Sequence, residues 1–472
     1  MKKLLGETII YGIGAIMPRI ILFVLNPLYI HYIDPEAFAQ FSNLYALISF
    51  VNIVLSFGFE TAFFRFSSET EQQEKTFNTS FWFLTGFSFL FLIGVLAYNQ
   101  TIADYLGYGK NPEYIKWFAL IAFLDNLCVI PFAWLRFNNK PIKYSAVRVF
   151  QSLLQTVFVV ALFLWIPTAF SEKLGMREKV SYPFYSNLAG SFFGVLMLLP
   201  IIFKVRFTFS KELFVRMIKY SWPIMIAGLA FMVNENFDKA IQIYYIDKTD
   251  AGAYGGCYKL AVLMTLFVTA YRMGIEPFFF KQMNKENAKE TYAKVTEYFS
   301  FFASIIAMGI IANVSWLKII FVPNKSYWTA VEIIPIIVIA NLCFGIYYNL
   351  STWYKVTDRT HFGTTISWIG AGITIVLHLL LLEKHGFMVS AWVTFIAYFV
   401  MMVLSYFLGQ KYYPIPYRTG KISFFLLLLM LFSFILVKYF NYNFWIGNIL
   451  FLIYSGLLIY SEKQFILSKI KR

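Results

Sequence analysis

The stretch Val180–Phe203, VSYPFYSNLAGSFFGVLMLLPIIF, runs without a charge between Lys179 and Lys204. As a helix rising ~1.5 Å per residue it reaches about 36 Å, enough to cross the ~30 Å hydrocarbon core of a bilayer. Comparable apolar runs fill the rest of the chain, at 8–33, 37–64, 80–99, 114–137, 146–168, 183–203, 218–246, 251–280, 297–321, 329–354, 362–383, 387–409, 421–440 and 444–461. Those fourteen segments share 472 residues, or about 34 residues for each span with its loop, which leaves no room for a soluble domain. Composition agrees. The chain is 59% apolar and 14% charged, where soluble domains are about 25% charged. The sequence specifies an all-α polytopic membrane protein.

The net charge of +15 invites a nucleic-acid reading, but its distribution argues against one. With the N-terminus placed in the cytoplasm, 26 of the 40 Lys and Arg residues fall in cytoplasmic loops and 10 in outer loops. That asymmetry is the positive-inside signature and predicts a multi-pass protein with both termini cytoplasmic. The basic excess then meets anionic membrane lipids, not nucleic acid. Lys2 and Lys3 before an apolar stretch resemble a signal peptide, but the stretch carries Pro18 and Arg19 and reads as a retained first span. The cysteines (Cys128, Cys257, Cys343) and the four scattered histidines have neither disulfide-framework nor metal-ligand spacing, so no metal or cofactor is expected.

The chain repeats itself. Tyr32-Ile33-Asp34 recurs as Tyr245-Ile246-Asp247, and at the same offset Phe41, Ser42, Tyr45 and Leu47 match Tyr254, Gly255, Tyr258 and Leu260. Gly58-Phe59-Glu60 with Phe63-Phe64-Arg65 then matches Gly274-Ile275-Glu276 with Phe279-Phe280-Lys281, and Asn126-Leu127-Cys128 matches Asn341-Leu342-Cys343. A six-span unit enters the membrane in the same direction each time, so the copies are parallel. The expected organisation is a six-helix lobe at 1–205, a second at 206–410, and two additional helices with a basic cytoplasmic tail at 411–472.

On these residues the chain resembles the MOP exporter superfamily, whose fold is shared by the MATE transporters. It is most similar to the polysaccharide-biosynthesis branch, the Wzx-type oligosaccharide flippases. Two spans beyond twelve also occur in the lipid II flippases of that superfamily. The resemblance implies translocation of a polyprenyl-pyrophosphate-linked oligosaccharide across the bacterial inner membrane by alternating access. O-antigen or capsule assembly would be the destination and a polysaccharide polymerase a partner.

Four cations remain inside spans: Arg19, Lys239, Lys259 and Arg272. Each costs about 2.5–3.5 kcal/mol at mid-membrane, so they are expected to face a wet or anion-filled interior and to bind the substrate's phosphates. Arg19 shares its span with Pro18 and Pro27, which permit bending. Span 7 carries Asn234-Glu235-Asn236-Phe237-Asp238-Lys239 and Gln242. At ~100° per residue all but Asn236 and Phe237 fall within an arc of about 140°, predicting the wall of an aqueous cavity. Glu235 and Lys239 stand at i,i+4 and can pair. Asp238 lies outside that pair and is the leading coupling-ion candidate, with Glu235 and Asp125 behind it. Lys259 and Arg272 are roughly 20 Å apart along one helix and cannot share a phosphate. Arg272 has Glu276 at i+4. Glu60 and Glu276 each precede a cation by five residues, as in a structural clamp at the cytoplasmic mouth. His378 reads as a hydrogen-bonded core residue, and 281–296, rich in Lys and Glu, as a solvated helix.

Three function classes compete. A lipid-linked oligosaccharide flippase needs cavity cations. A MATE-type cation-coupled multidrug antiporter needs an acid-rich cavity, and the balance of four span cations against about as many acids favours the anionic lipid. A multi-span polysaccharide polymerase or ligase needs substantial outer loops, and that near 169–182 is short. A transporter, not an enzyme, is expected.

Overall fold

A computed structural model of the chain describes residues 2–68 and 73–462. The basic tail expected at 463–472 lies outside them. Among the described residues every regular element is a helix, and fourteen are long and apolar enough to span a membrane. Their bounds are Ile10–Tyr32, Pro35–Ser67, Gln73–Ala97, Pro112–Phe137, Pro141–Leu164, Ser181–Ile202, Lys211–Tyr245, Lys248–Gln282, Ala288–Ala312, Ile333–Val356, His361–His385, Met388–Tyr412, Thr419–Phe440 and Phe444–Ser461, here spans 1 to 14. Spans 7 and 8 have 35 residues each, about 52 Å, so both outrun the hydrocarbon core.

The chain divides into two compact units. One comprises 1–33 and 40–232, the other 34–39 and 233–472. Span 7 is therefore shared, its first part going with the first unit. Spans 13 and 14 pack on span 9 inside the second unit.

Within each unit the packing order repeats. Span 5 lies on span 6, span 6 on span 4 and span 4 on span 3; likewise span 11 lies on span 12, span 12 on span 10 and span 10 on span 9. The internal repeat is thus a repeat of neighbours as well as of letters. Its matched acids act as helix N-caps. Asp34 accepts the Ala37 N–H at 2.9 Å ahead of Pro35, and Asp247 accepts the Thr249 N–H at 2.7 Å. Its matched aromatic pairs, Phe41–Tyr45 and Tyr254–Tyr258, have ring centroids 4.7 and 5.9 Å apart, the reach of an i,i+4 step.

The copies diverge at one glycine. Gly58 takes a left-handed conformation (φ 69°) and breaks span 2 between Ser56 and Phe59, a backbone that L side chains adopt only at a cost. Its counterpart Gly274 sits inside the unbroken helix of span 8. Span 1 also breaks. Its helix passes Pro18, ends at Val24 and restarts at Asn26 with Pro27 in the first turn, so the bend expected from two prolines is localised at the second. The 281–296 segment is not a solvated helix of its own. Span 8 ends at Gln282, span 9 starts at Ala288, and Tyr292, buried, donates its hydroxyl to the Phe279 carbonyl at 2.9 Å. The Lys/Glu pattern there marks only the outward face of a helix whose other side is packed.

Candidate functional site

Each unit holds its own polar centre. In the second, the row Asn234, Asp238 and Gln242 on span 7 recurs every fourth residue and is buried, which corrects the expectation of an aqueous wall. Spans 11 and 12 present matching groups to it. Asn234 donates its amide to the Ser367 carbonyl at 3.0 Å and accepts from the Thr374 hydroxyl at 3.3 Å. Gln242 donates to Ser390 Oγ at 2.7 Å. His378, fully buried, places Nδ1 2.7 Å from the Thr374 carbonyl and Nε2 3.1 Å from Ser390 Oγ. A carbonyl can only accept, so Nδ1 carries the proton and Nε2 accepts from Ser390. His378 is the hydrogen-bonded core residue expected of it.

The carboxylates lie beside this row. Asp238, expected to stand outside a Glu235–Lys239 pair, holds the Lys239 ammonium through both oxygens, at 3.0 and 3.1 Å. It also accepts the Lys239 backbone N–H at 2.8 Å and the Tyr254 hydroxyl at 2.6 Å. The i,i+4 reading missed this because Lys239 folds back on its own neighbour. The ammonium also donates to the Glu235 carbonyl at 3.1 Å and lies 3.6 Å from the centroid of the Tyr258 ring. Glu235 takes the Tyr398 hydroxyl on Oε1 at 2.5 Å. Lys259, half-buried on span 8, is close enough to Lys239 for their charges to interact. Glu235, Asp238, Lys239 and Lys259 therefore form one cluster.

Arg272 is not part of it. It is exposed and lies over the Tyr348 ring at 4.4 Å, while Lys355 lies over the same ring at 3.9 Å and pairs with Glu276 at 2.9 Å. In the first unit Glu60 pairs with Arg136. The acids of spans 2 and 8 thus take cations from the ends of spans 4 and 10. Each acid is paired inside its own unit by a cation that local spacing did not indicate.

The first unit's polar centre is a cleft of about 440 Å³ lined by Asn52, Glu60, Asp125, Arg148 and Gln151, among others. Asp125 accepts the Ser191 hydroxyl at 2.7 Å and interacts with the charge of Arg148, whose guanidinium lies 4.0 Å from the Phe132 ring centroid. Asp125 is accordingly in a different unit from Asp238 and Glu235. The loop count of cytoplasmic cations includes Arg148, which in the structure stands seven residues inside a helix that opens at Pro141. The proline start was the signal that could have identified it. Arg19, midway along span 1, is exposed on the first unit. Among the described residues no group of three or more His, Cys, Asp or Glu could hold a metal ion.

Comparison with known proteins places this architecture. The chain is similar over most of its length to a solved structure of the lipid II flippase MurJ in an inward closed conformation, with a TM-score of 0.75 at 17% identity, covering 96% of this chain and 99% of that one. It is also similar to an inward-facing multidrug resistance MATE family transporter of the MOP superfamily, with a TM-score of 0.66 at 13% identity, covering 88% and 95% of the two chains. These likenesses show a MATE/MOP-like all-helical fold, in keeping with the fourteen candidate spans. A curated relative, "Lsg locus putative protein 1" of Haemophilus influenzae (strain ATCC 51907 / DSM 11121 / KW20 / Rd), is 19% identical over 319 residues, 67% of this chain and 74% of its own. The family model for polysaccharide biosynthesis proteins matches residues 32–332. With that match over well more than half its length, the chain belongs to the polysaccharide biosynthesis protein family.

Proposed function

We propose that this protein is a flippase that carries a polyprenyl-pyrophosphate-linked oligosaccharide across the bacterial inner membrane by alternating access, for assembly of a surface polysaccharide. The family and the fold support a MOP-type transporter in polysaccharide biosynthesis. The observation that carries the finer reading is the set of cations inside the spans. A pyrophosphate brings about two to three negative charges into a medium where an isolated charge is costly, and compensating cations must meet it. Arg19 in the first unit and Arg272 in the second are exposed, and Lys259 is half-buried. Arg binds phosphate oxygens in bidentate fashion and Lys as a point charge. Lys239 is held by Asp238 and enters the path only when it leaves that partner.

Both termini are cytoplasmic in this reading, so reporter fusions at Lys173 and Lys211 report opposite sides of the membrane. A polysaccharide polymerase would take up the translocated product. The deciding experiment is Arg19→Ala against Arg19→Lys in a cell whose surface polysaccharide depends on this gene. Ala abolishes assembly and Lys retains part of it, at equal membrane levels. Normal assembly in Arg19→Ala, and again in Lys259→Ala and Arg272→Ala, removes the phosphate path. The cation antiporter on the same fold then becomes the better reading.

A further inference from the structure

The Lys239 ammonium occupies a set of acceptors that suits a small monovalent cation. Two carboxylate oxygens of Asp238 lie at 3.0 and 3.1 Å, a backbone carbonyl of Glu235 at 3.1 Å, and the face of Tyr258 at 3.6 Å from Nζ to the ring centroid. The side chains of Lys239 and Asp238 are only 12% and 6% exposed. Acceptors and an aromatic face around one positive centre, away from water, are the coordination a desolvated cation requires. The surroundings hold the cage in place. Tyr254 donates to Asp238 at 2.6 Å, Tyr398 to Glu235 at 2.5 Å, and Tyr254 and Tyr398 are fully buried.

We propose that Asp238, the Glu235 carbonyl and the Tyr258 ring form a monovalent-cation site in the second unit, and that its resident cation is the chain's own Lys239 ammonium. The site is filled by a tethered charge that solution ions do not displace. This unit therefore needs no free sodium or potassium to neutralise Asp238. The inference is independent of the transported substrate, since it concerns only what balances the buried carboxylate.

The test is thermal unfolding of the purified full chain in detergent, in sodium, potassium or methylammonium chloride against N-methyl-D-glucamine chloride at equal ionic strength. The wild type unfolds at the same temperature in all four salts. Lys239→Met keeps an unbranched apolar side chain and removes the ammonium with its hydrogen bonds. It unfolds earlier in N-methyl-D-glucamine and recovers by a few degrees, saturably, with a small cation, because a ligand that binds only the folded state raises its stability. Lys239→Met with Asp238→Asn shows no such recovery. Should Lys239→Met not fold, Lys239→Gln is compared in the same salts with the same two outcomes. A wild type specifically stabilised by sodium or potassium overturns the proposal, because the site would then be open. A folded Lys239 variant indifferent to all small cations overturns it as well.

Discussion

Gly252 lets span 8 lie against the Pro35 backbone at the start of span 2, and replacing it with Ala should destabilise the protein. A Cβ built there would stand 1.6 Å from the Pro35 carbonyl oxygen, 2.5 Å from its carbonyl carbon and 3.0 Å from its Cα. Carbon and oxygen approach to about 3.2 Å in ordinary contact, so a backbone must move by more than an ångström. Both backbones belong to helix starts fixed by their caps, Asp34 and Asp247, and cannot yield cheaply. Overpacking costs about 1–3 kcal/mol, and this overlap belongs at the top of that range. The Gly-to-Ala gain in helix propensity, about 1 kcal/mol, offsets part of it, leaving a net loss of about 2 kcal/mol. Gly274→Ala, on the same helix, is the control. Its Cβ would meet nothing within 4 Å, so only the gain of up to about 1 kcal/mol remains. Thermal unfolding in detergent, followed by tryptophan fluorescence, should place Gly252→Ala below the wild type and Gly274→Ala at or above it. If Gly252→Ala unfolds at or above the wild-type temperature, the close approach of span 8 to the start of span 2 is refuted.

Two further outcomes follow from the repeat. Glu276→Gln and Lys355→Met should each weaken the protein by about 0.5–1 kcal/mol, with the double variant scarcely worse than either single one, as for a partly exposed pair; additive losses in a double-mutant cycle would show that the two do not interact. Asp247→Ala should cost about 1 kcal/mol through loss of the span 8 cap. The Thr249 N–H holds the Asp247 carboxyl below the usual carboxylate range, so this contribution is complete at neutral pH and is lost only as pH falls through that lowered value. Asp247→Asn should keep the cap and remove its acid sensitivity, read as unfolding temperature against pH.

The fourteen spans and the six-span repeat were legible in the sequence, because apolar length is set by the bilayer and the repeat shows as letters at a near-constant offset. That the matched Asp34 and Asp247 cap helices came from the structure. What each polar side chain binds was not legible. Asp238 meets Tyr254, 16 residues away, and Glu235 meets Tyr398, 163 away; helical spacing on span 7 carries no information about which spans pack against it. The same limit hid the partners of Glu60 and Glu276, which come from spans 4 and 10. It also hid the break at Gly58, whose sequence match Gly274 is continuous helix. A glycine permits a left-handed turn or a regular helix almost equally, and only the packing around it selects one. Sequence thus determined how often the chain crosses the membrane and where its charges enter. Tertiary structure decided which of those charges are already neutralised by a neighbour, because that depends on helices brought together by the fold.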